Sequence, residues 1–323
     1  MNMGHYVAKR LLTGLIVVMI VIVLTFFLVH MAPGDPIRIL AGKDNPSPEM
    51  IKALQAKYGL DKPIYVQLAA YMKNLSRGDM GDSILYNMPV SQMIMERMGP
   101  TILLALTGAV LAVVLGTLLG LYAARYNGSK TDALLSYISY FFYAMPSFWL
   151  GLMMILIFAS WLKVLPTAGM VDLRAPSKGI GYAMDVMKHL ILPVATLTLI
   201  QIPIYFRIFK SSIMQVMAED FVTTFRATGM DEKKIFNRYI FKNAILPTIT
   251  VFGIGLAYIV TGAALIETVF AWPGTGRLML EAIMRRDYPL LMAIYLIMSV
   301  SIAVVMIIVD IIYAYVDPRI RYQ

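Results

Sequence analysis

Residues Thr101–Ala124 read TILLALTGAVLAVVLGTLLGLYAA and include no Asp, Glu, Lys or Arg. A helix of about 20 mostly apolar residues is long enough to cross the hydrocarbon core of a bilayer. Backbone in lipid must satisfy its own hydrogen bonds, so this stretch predicts a membrane-spanning helix. The composition agrees, because a chain that is 59% hydrophobic and 15% charged has too little polar surface for a soluble domain.

Five further apolar blocks follow the same pattern. They are Leu11–His30, Leu134–Leu162, Leu190–Phe206, Ala244–Phe270 and Pro289–Val309. The first is too long for a signal-peptide core, so we expect it to be retained as a span. We therefore predict an all-α integral membrane protein with six transmembrane helices in a single domain, residues 1–323. The short alternating segments typical of a β-barrel are not visible.

The charges favour a topology rather than a nucleic-acid partner, although the formal net charge is +9. With the N-terminus inside, the inner segments hold about twice as many Lys and Arg residues as the two short outer loops. We expect a multi-pass membrane protein with both termini in the cytoplasm, in contact with lipid and not with nucleic acid. Cysteine is absent, which excludes disulfides and thiolate metal sites.

The first outer segment, residues 31–100, is long enough for a small extracytoplasmic region. Ser47-Pro48-Glu49 predicts a helix start, and apolar residues at helical spacing predict helices over Met50–Tyr58 and Ile64–Leu75. Gly78-Asp79-Met80-Gly81-Asp82-Ser83 predicts a turn. This region is either a solvated cap or a binding surface, and the sequence leaves both open.

Two features within the spans predict local geometry. Gly108, Ala112, Gly116 and Gly120 place small residues on one helical face, which predicts close packing against another helix of the bundle. Pro146 predicts a kink in the third span. A kink suits a pathway that changes shape, but static bundles have kinks too.

Ionisable groups and sequence motifs exclude several activities. Counting along the spans places Glu267 at the outer boundary of span five and Asp310 at the inner boundary of span six, which gives no proton relay. Gly128-Ser129-Lys130-Thr131 lacks the Gly-Lys pair and upstream Gly of a phosphate-binding loop. No hydrolase motif is present in the sequence. We expect no enzyme activity, catalytic residue, metal site or cofactor in this chain.

The segment from Lys210 to Asn243 mixes charged and apolar residues between spans four and five. Gly229 separates two helical stretches, Asp231 is placed to cap the second, and Leu246-Pro247 is expected to end it at the membrane. From this pattern alone, the segment is either a lever presented to the cytoplasm or an ordinary amphipathic connector.

Ordered motifs point to a family. Arg226-Ala227-Thr228-Gly229 followed by Asn243-Ala244-Ile245-Leu246-Pro247 resembles the cytoplasmic motif of binding-protein-dependent ABC importer permeases, in the dipeptide/oligopeptide/nickel group. Further matches occur in the family's order across essentially the whole chain. They lie at residues 31–36, 78–83, 97–101, 267–277, 286–289, 310–313 and 317–319. Each motif is weak alone, but the ordered set is specific.

One departure concerns the start of the cytoplasmic motif. The general motif begins Glu-Ala-Ala six residues before its glycine, where this chain has Thr223-Thr224-Phe225. The interval from Gly229 to Pro247 is also longer than in sugar or amino-acid permeases. The peptide group shares that interval, which favours the subgroup but leaves open which residues make the main ATPase contacts.

The resemblance implies a type I ABC importer permease fold, a place in a prokaryotic cytoplasmic (inner) membrane and one half of a translocation pathway. It implies a second homologous permease subunit, two ATP-binding subunits that bind ATP and Mg²⁺, and an extracytoplasmic substrate-binding protein. The residues that it assigns to ATPase coupling are Arg226, Ala227, Gly229 and Asp231. Glu267, Pro273, Gly274 and Gly276 match a family motif near the outer end of span five.

The transported molecule stays open at this level. Peptides are the expected substrates, with nickel chelates and oligosaccharides as alternatives within the family. A non-ABC channel or secondary carrier is the alternative from another class. It would show mid-membrane charges or broken helices in an inverted repeat, and the sequence shows neither clearly.

Overall fold

The computed structural model describes residues 3–31, 49, 52, 61–174, 178–259 and 263–316, and for residues 3–6 and 310–316 it describes the backbone alone. The elements of this part are helices. In chain order they are α1 Met3–Met31, α2 Ile64–Leu75, α3 Val90–Arg125, α4 Lys130–Ala144, α5 Ser147–Met154, α6 Ile180–Met217, α7 Asp220–Ala227, α8 Glu232–Ile235, α9 Phe241–Ala244, α10 Leu246–Ala257, α11 Ala264–Val269, α12 Thr275–Arg285 and α13 Tyr288–Val316. Two π-helical turns, Ile155–Trp161 and Phe236–Ile240, follow α5 and α8.

The number of spans agrees with the sequence. Within the described residues, five helices are long and apolar enough to cross a membrane, and the bent pair Lys130–Ala144 and Ser147–Trp161 makes up to six. Of the predicted helix Met50–Tyr58 the structure describes Lys52 alone, and the motifs at 32–36 and 317–319 and the side chain of Asp310 lie outside the described residues.

Several helices extend beyond the predicted apolar blocks. Span two begins at Val90 rather than Thr101, and Pro100 lies inside that helix. Helix α6 has 38 residues, from Ile180 to Met217, so it is about 57 Å long, well beyond the roughly 30 Å hydrocarbon core. Lys210 therefore belongs to the end of a transmembrane helix and not to a separate connector.

The third span is broken rather than kinked. The axes of Lys130–Ala144 and Ser147–Trp161 differ by 102°. Met145 and Pro146 both have extended backbone, with ψ 133° and 131°. Proline disfavours helical backbone in the residue before it and supplies no N–H, so α4 ends here and α5 begins afresh. A carrier would also use such a break, so the break alone does not identify the class.

The fifth predicted span, Ala244–Phe270, is not one helix. The run Glu232–Ala257 is interrupted only at Ile245, where α9 ends and α10 begins, and Pro247 fits there because a proline in the first turn of α10 loses no helical hydrogen bond. That run ends at Ala257, before the β-branched Ile259-Val260-Thr261 and Gly262, all weak helix formers.

Glu267 is buried, which its predicted place at the outer boundary of span five did not indicate. It lies in the separate helix α11 and is 0% exposed. The chain turns back just after it, since the Trp272 N–H donates to the Glu267 carbonyl at 2.7 Å and the Trp272 side chain is 0% exposed.

The chain divides into two compact units. The first is Met1–Thr101 with Val260–Ala264 and Pro273–Gln323, and the second is Ile102–Ile259 with Leu265–Trp272. The single domain 1–323 therefore stays a prediction.

In the first unit, the two terminal spans α1 and α13 pack together. A side chain at Gly14 of α1 would contact Ala303 and Ile307 of α13 at 3.5–3.6 Å. Helix α2 lies against α1 through the stacked rings of Phe26 and Tyr71, 5.9 Å apart. Burial raises the pKa of Tyr71 to about 12, so this phenol stays uncharged even in moderately alkaline solution.

In the second unit, the small-residue face of α3 packs against α6, as predicted. A Cβ atom built on Gly116 would lie 2.8 Å from the Ile202 carbonyl oxygen and from the Tyr205 Cβ. One built on Gly120 would lie 2.8 Å from the Phe206 carbonyl oxygen. These distances leave no room for a side chain, so glycine sets how closely the two helices approach.

Gly116→Ala should therefore destabilise the protein. Overpacking a close contact costs roughly 1–3 kcal/mol. Gly14→Ala in the middle of α1 is the control, because a Cβ atom there meets only side chains, at the ordinary contact distances of 3.5 and 3.6 Å. It should be neutral or stabilising, since alanine is the better helix former. Thermal unfolding of the purified variants in one detergent tests this, and equal midpoints for the two would contradict the packing.

Candidate functional site

The four predicted coupling residues lie in one turn. Helix α7 ends at Ala227, and Gly229 follows with φ +76°, a left-handed conformation that glycine adopts at little cost. The Gly229 N–H donates to the Arg226 carbonyl at 3.0 Å and closes the helix end. Arg226, Ala227, Gly229 and Asp231 are all exposed. We call residues 226–231 the tip.

Two side-chain interactions fix the tip. Asp231 Oδ2 accepts the Lys234 N–H at 3.1 Å and caps α8, as predicted. Arg226 donates from Nε to Glu232 Oε1 at 2.8 Å and from Nη2 to Oε2 at 3.4 Å. Exposed ion pairs contribute little stability, about 0–1 kcal/mol. Their effect here is to hold the two sides of the Gly229 turn together.

Residues 220–244, which we call the coupling segment, have an apolar and buried base. Val222 of α7 and Ile235 of α8 are 0% exposed, and Ile240 and Ala244 are also buried. They form one cluster with Phe209 and Ile213 of α6 and with Ala124 of α3. The charged tip is therefore mounted on a packed base that belongs to the membrane-spanning helices.

A π-helical turn shapes this base. Residues Phe236–Ile240 widen the helix between α8 and α9. Tyr239, on this turn, packs against Phe225 of α7 with ring centroids 4.4 Å apart. Such turns occur often at functional sites. The sequence did not predict this one, since π-helical turns have no simple periodicity signal.

The sequence also did not predict an ion pair between α4 and α6 in the second unit. Lys210 Nζ of α6 donates to Asp132 Oδ1 of α4. Ser129 and Asp132 match the Ser-x-x-Asp pattern of a helix start, and the Ser129 Oγ accepts the Asp132 N–H at 3.2 Å. That pattern could have located α4. The pairing with Lys210 joins positions that no local signal connects.

The residues of the outer motif are buried or half-buried. Gly274 and Gly276 are buried, Pro273 is half-buried, and Glu267 is buried in α11 of the second unit. Within the first unit, the Thr275 N–H donates to Thr101 Oγ1 at 2.7 Å. This contact joins two of the ordered motifs, residues 97–101 and 267–277. Thr275 of the second motif therefore has a structural role.

Two more motifs meet at Asp287 in the first unit. Its carboxylate accepts from Ser83 Oγ, and from the N–H groups of Ile84 at 3.2 Å and Leu290 at 3.3 Å. Asp287 is 1% exposed and Ser83 is 0% exposed. The predicted turn at 78–83 is thereby tied to the start of α13.

Comparison with known proteins accounts for these ordered motifs. The family model described as binding-protein-dependent transport system inner membrane component matches residues 116–322. The model of the N-terminal part of such components matches residues 3–105. The chain belongs to this family. It is an inner-membrane permease component of a binding-protein-dependent ABC importer, as the motifs predicted, and it has the type I permease fold.

Full-length relatives agree with the family. The di/tripeptide transport system permease protein of Pseudomonas aeruginosa is 34% identical over 337 residues, covering 99% of this chain and 100% of the relative. The glutathione transport system permease protein of Escherichia coli is 35% identical over 321 residues, with the same coverage. Because the chain belongs to this family, the alternative of a non-ABC channel or secondary carrier is not favoured.

Replacing Asp287 tests the outer network of this permease. Asp287→Ala leaves buried hydroxyl and N–H donors without an acceptor, at about 1–3 kcal/mol for each unsatisfied group. We expect a lower thermal midpoint and faster proteolysis near residues 78–90. Asp79→Ala is the control, since that carboxylate is exposed and accepts only a local N–H at 2.8 Å. Equal protease sensitivity of the two variants would contradict the role of Asp287.

Proposed function

We propose that this permease forms one half of the translocation pathway of an ATP-driven peptide importer. A second homologous permease supplies the other half, and two ATP-binding subunits hold ATP and Mg²⁺ on the cytoplasmic side. A substrate-binding protein delivers peptide from outside. The distribution of Lys and Arg supports a cytoplasmic position for both termini and for the tip.

Peptides are the proposed substrates because of the relatives' names. One similar protein is named for di- and tripeptides and another for glutathione, itself a small peptide. Both align over the full length of this chain. Nickel chelates and oligosaccharides stay as alternatives within the family, and no contact in the described residues favours them.

The observation that carries the coupling role is the contrast between tip and base. Arg226, Ala227, Gly229 and Asp231 are exposed in one turn, whereas Val222 and Ile235 behind it are fully buried. A surface that docks a partner has to be accessible, and a surface that transmits motion has to be firmly attached. The segment combines both properties.

The mechanism follows from this attachment. We propose that Ala227, Gly229 and Asp231 lie in a groove of an ATP-binding subunit. Closure of the two ATP-binding subunits around ATP moves the tip, and the packed base carries that motion into α6 and α3. Packed helices move as rigid bodies, so the pathway opens alternately to each side of the membrane.

Gly229→Val tests the coupling role. A β-branched residue costs roughly 1–2 kcal/mol in a left-handed conformation, which shifts the turn's equilibrium about 5- to 30-fold toward another geometry. In the reconstituted complex, we expect a fall of similar size in the ATPase stimulation by peptide-loaded binding protein. Gly229→Asn should retain most of the stimulation, since Asn tolerates this conformation.

The matched control is Gly78→Val. Gly78 has φ +79° and ends α2, with its N–H donating to the Leu75 carbonyl at 2.9 Å, so its backbone resembles that of Gly229. This variant should retain the ATP-binding subunits through purification as the unsubstituted protein does. Unchanged stimulation and peptide uptake in Gly229→Val would refute the coupling role.

A further inference from the structure

The ion pair between Lys210 and Asp132 is largely shielded from solvent. The Asp132 side chain is 9% exposed and the Lys210 side chain is 22% exposed. A buried ion pair contributes uncertain net stability, because removing two charges from water is costly. Removing only one partner, however, leaves an uncompensated charge. Such a pair therefore specifies the relative position of the two helices that carry it.

The Asp132 carboxylate is held by its own helix. Besides Lys210, it accepts the Gly128 N–H at 3.1 Å on Oδ2 and the Ser136 hydroxyl at 3.4 Å on Oδ1. Asp132 lies in the first turn of α4, which Ser129 caps. A shift of the lysine ammonium must therefore act on the first turn of α4 as a whole.

Lys210 lies at the point where α6 supports the coupling segment. Its neighbour Phe209 and Ile213, one turn on, are both 0% exposed in the cluster with Val222 and Ile235. On the side of α3, a Cβ atom at Gly120 would lie 3.3 Å from the Lys210 backbone nitrogen. The same turn of α6 thus contacts α3 and the coupling segment and carries the charge that holds α4.

Helix α4 ends at the break in the third span. The 102° bend at Met145-Pro146 separates α4 from α5, with no continuous helix to prevent their relative movement. A displacement at Asp132 can therefore change the angle at Pro146 without deforming either helix.

We propose that Lys210 and Asp132 are a positioning pair that transmits movement of the coupling segment to the broken third span. The proposal rests on the coupling role given above. The pair touches neither substrate nor nucleotide; it fixes α4 to the turn of α6 that supports the tip. Without it, the ATP-binding subunits still close and hydrolyse ATP, but the third span no longer follows.

The first test measures peptide transported per ATP hydrolysed in proteoliposomes that contain the whole complex. Lys210→Met should lower this ratio at least about fivefold, the lower end of typical coupling between sites. Lys210→Arg keeps the charge and should retain the ratio. A merely structural role would lower transport and hydrolysis together and leave the ratio unchanged. Glu281→Gln, which removes the more exposed pair with Arg277, is the control.

The second test measures a distance between two spin labels. The chain has no cysteine, so Tyr137→Cys on α4 and Asn237→Cys in the coupling segment are the only cysteines that it contributes. Both positions are exposed. Their separation should stay constant when ATP and loaded binding protein are added, and should change under those conditions once Lys210→Met is introduced.

The outcomes separate this inference from the proposed function. A normal transport-to-hydrolysis ratio in Lys210→Met, with Gly229→Val impaired, overturns the positioning pair alone. If Gly229→Val is normal, the coupling role itself fails. If Lys210→Met does not assemble, Asp132→Asn replaces it, and the same lowered ratio is expected because the lysine again lacks its counter-charge. A normal ratio in that variant also overturns the inference.

Discussion

The close approach of α3 and α6 is the constraint on which the second unit depends. Gly116 and Gly120 bring the two backbones so near that a single Cβ atom would lie 2.8 Å from a carbonyl oxygen of α6. Lipid gives helices no hydrophobic reason to associate, so contact of this kind has to come from shape. Because α6 is held this way over its C-terminal half, its last turns form a fixed support beyond the apolar block.

That support determines what the coupling segment can do. Phe209 and Ile213 bury the apolar sides of the two short helices, while the Gly229 turn carries its charges outward. A loosely attached connector would not transmit the movement of a partner protein to the membrane-spanning helices. A connector that is packed against α6 can transmit that movement to α6. The same turn of α6 contacts α4 through the ion pair of Lys210 and Asp132.

The sequence predicted the elements better than their breaks and long-range contacts. Apolar length identified the spans, the small-residue spacing predicted that a helix packs closely on α3 but not which one, and Gly229 with Asp231 predicted the tip. It missed the full break at Pro146 and the division of span five, because hydropathy measures length and not backbone direction. It also missed the pairs Asp132–Lys210 and Ser83–Asp287, since tertiary packing alone brings together residues so far apart in the chain.

The most direct measurement is photo-crosslinking from the tip in the assembled transporter. A benzophenone amino acid at Ala227, which is exposed beside Gly229, should crosslink to an ATP-binding subunit. The same probe at Tyr65, 70% exposed on α2, should not, since α2 is expected outside the membrane. A crosslink from Tyr65 to an ATP-binding subunit, or none from Ala227 in a complex that transports peptide, would contradict the account.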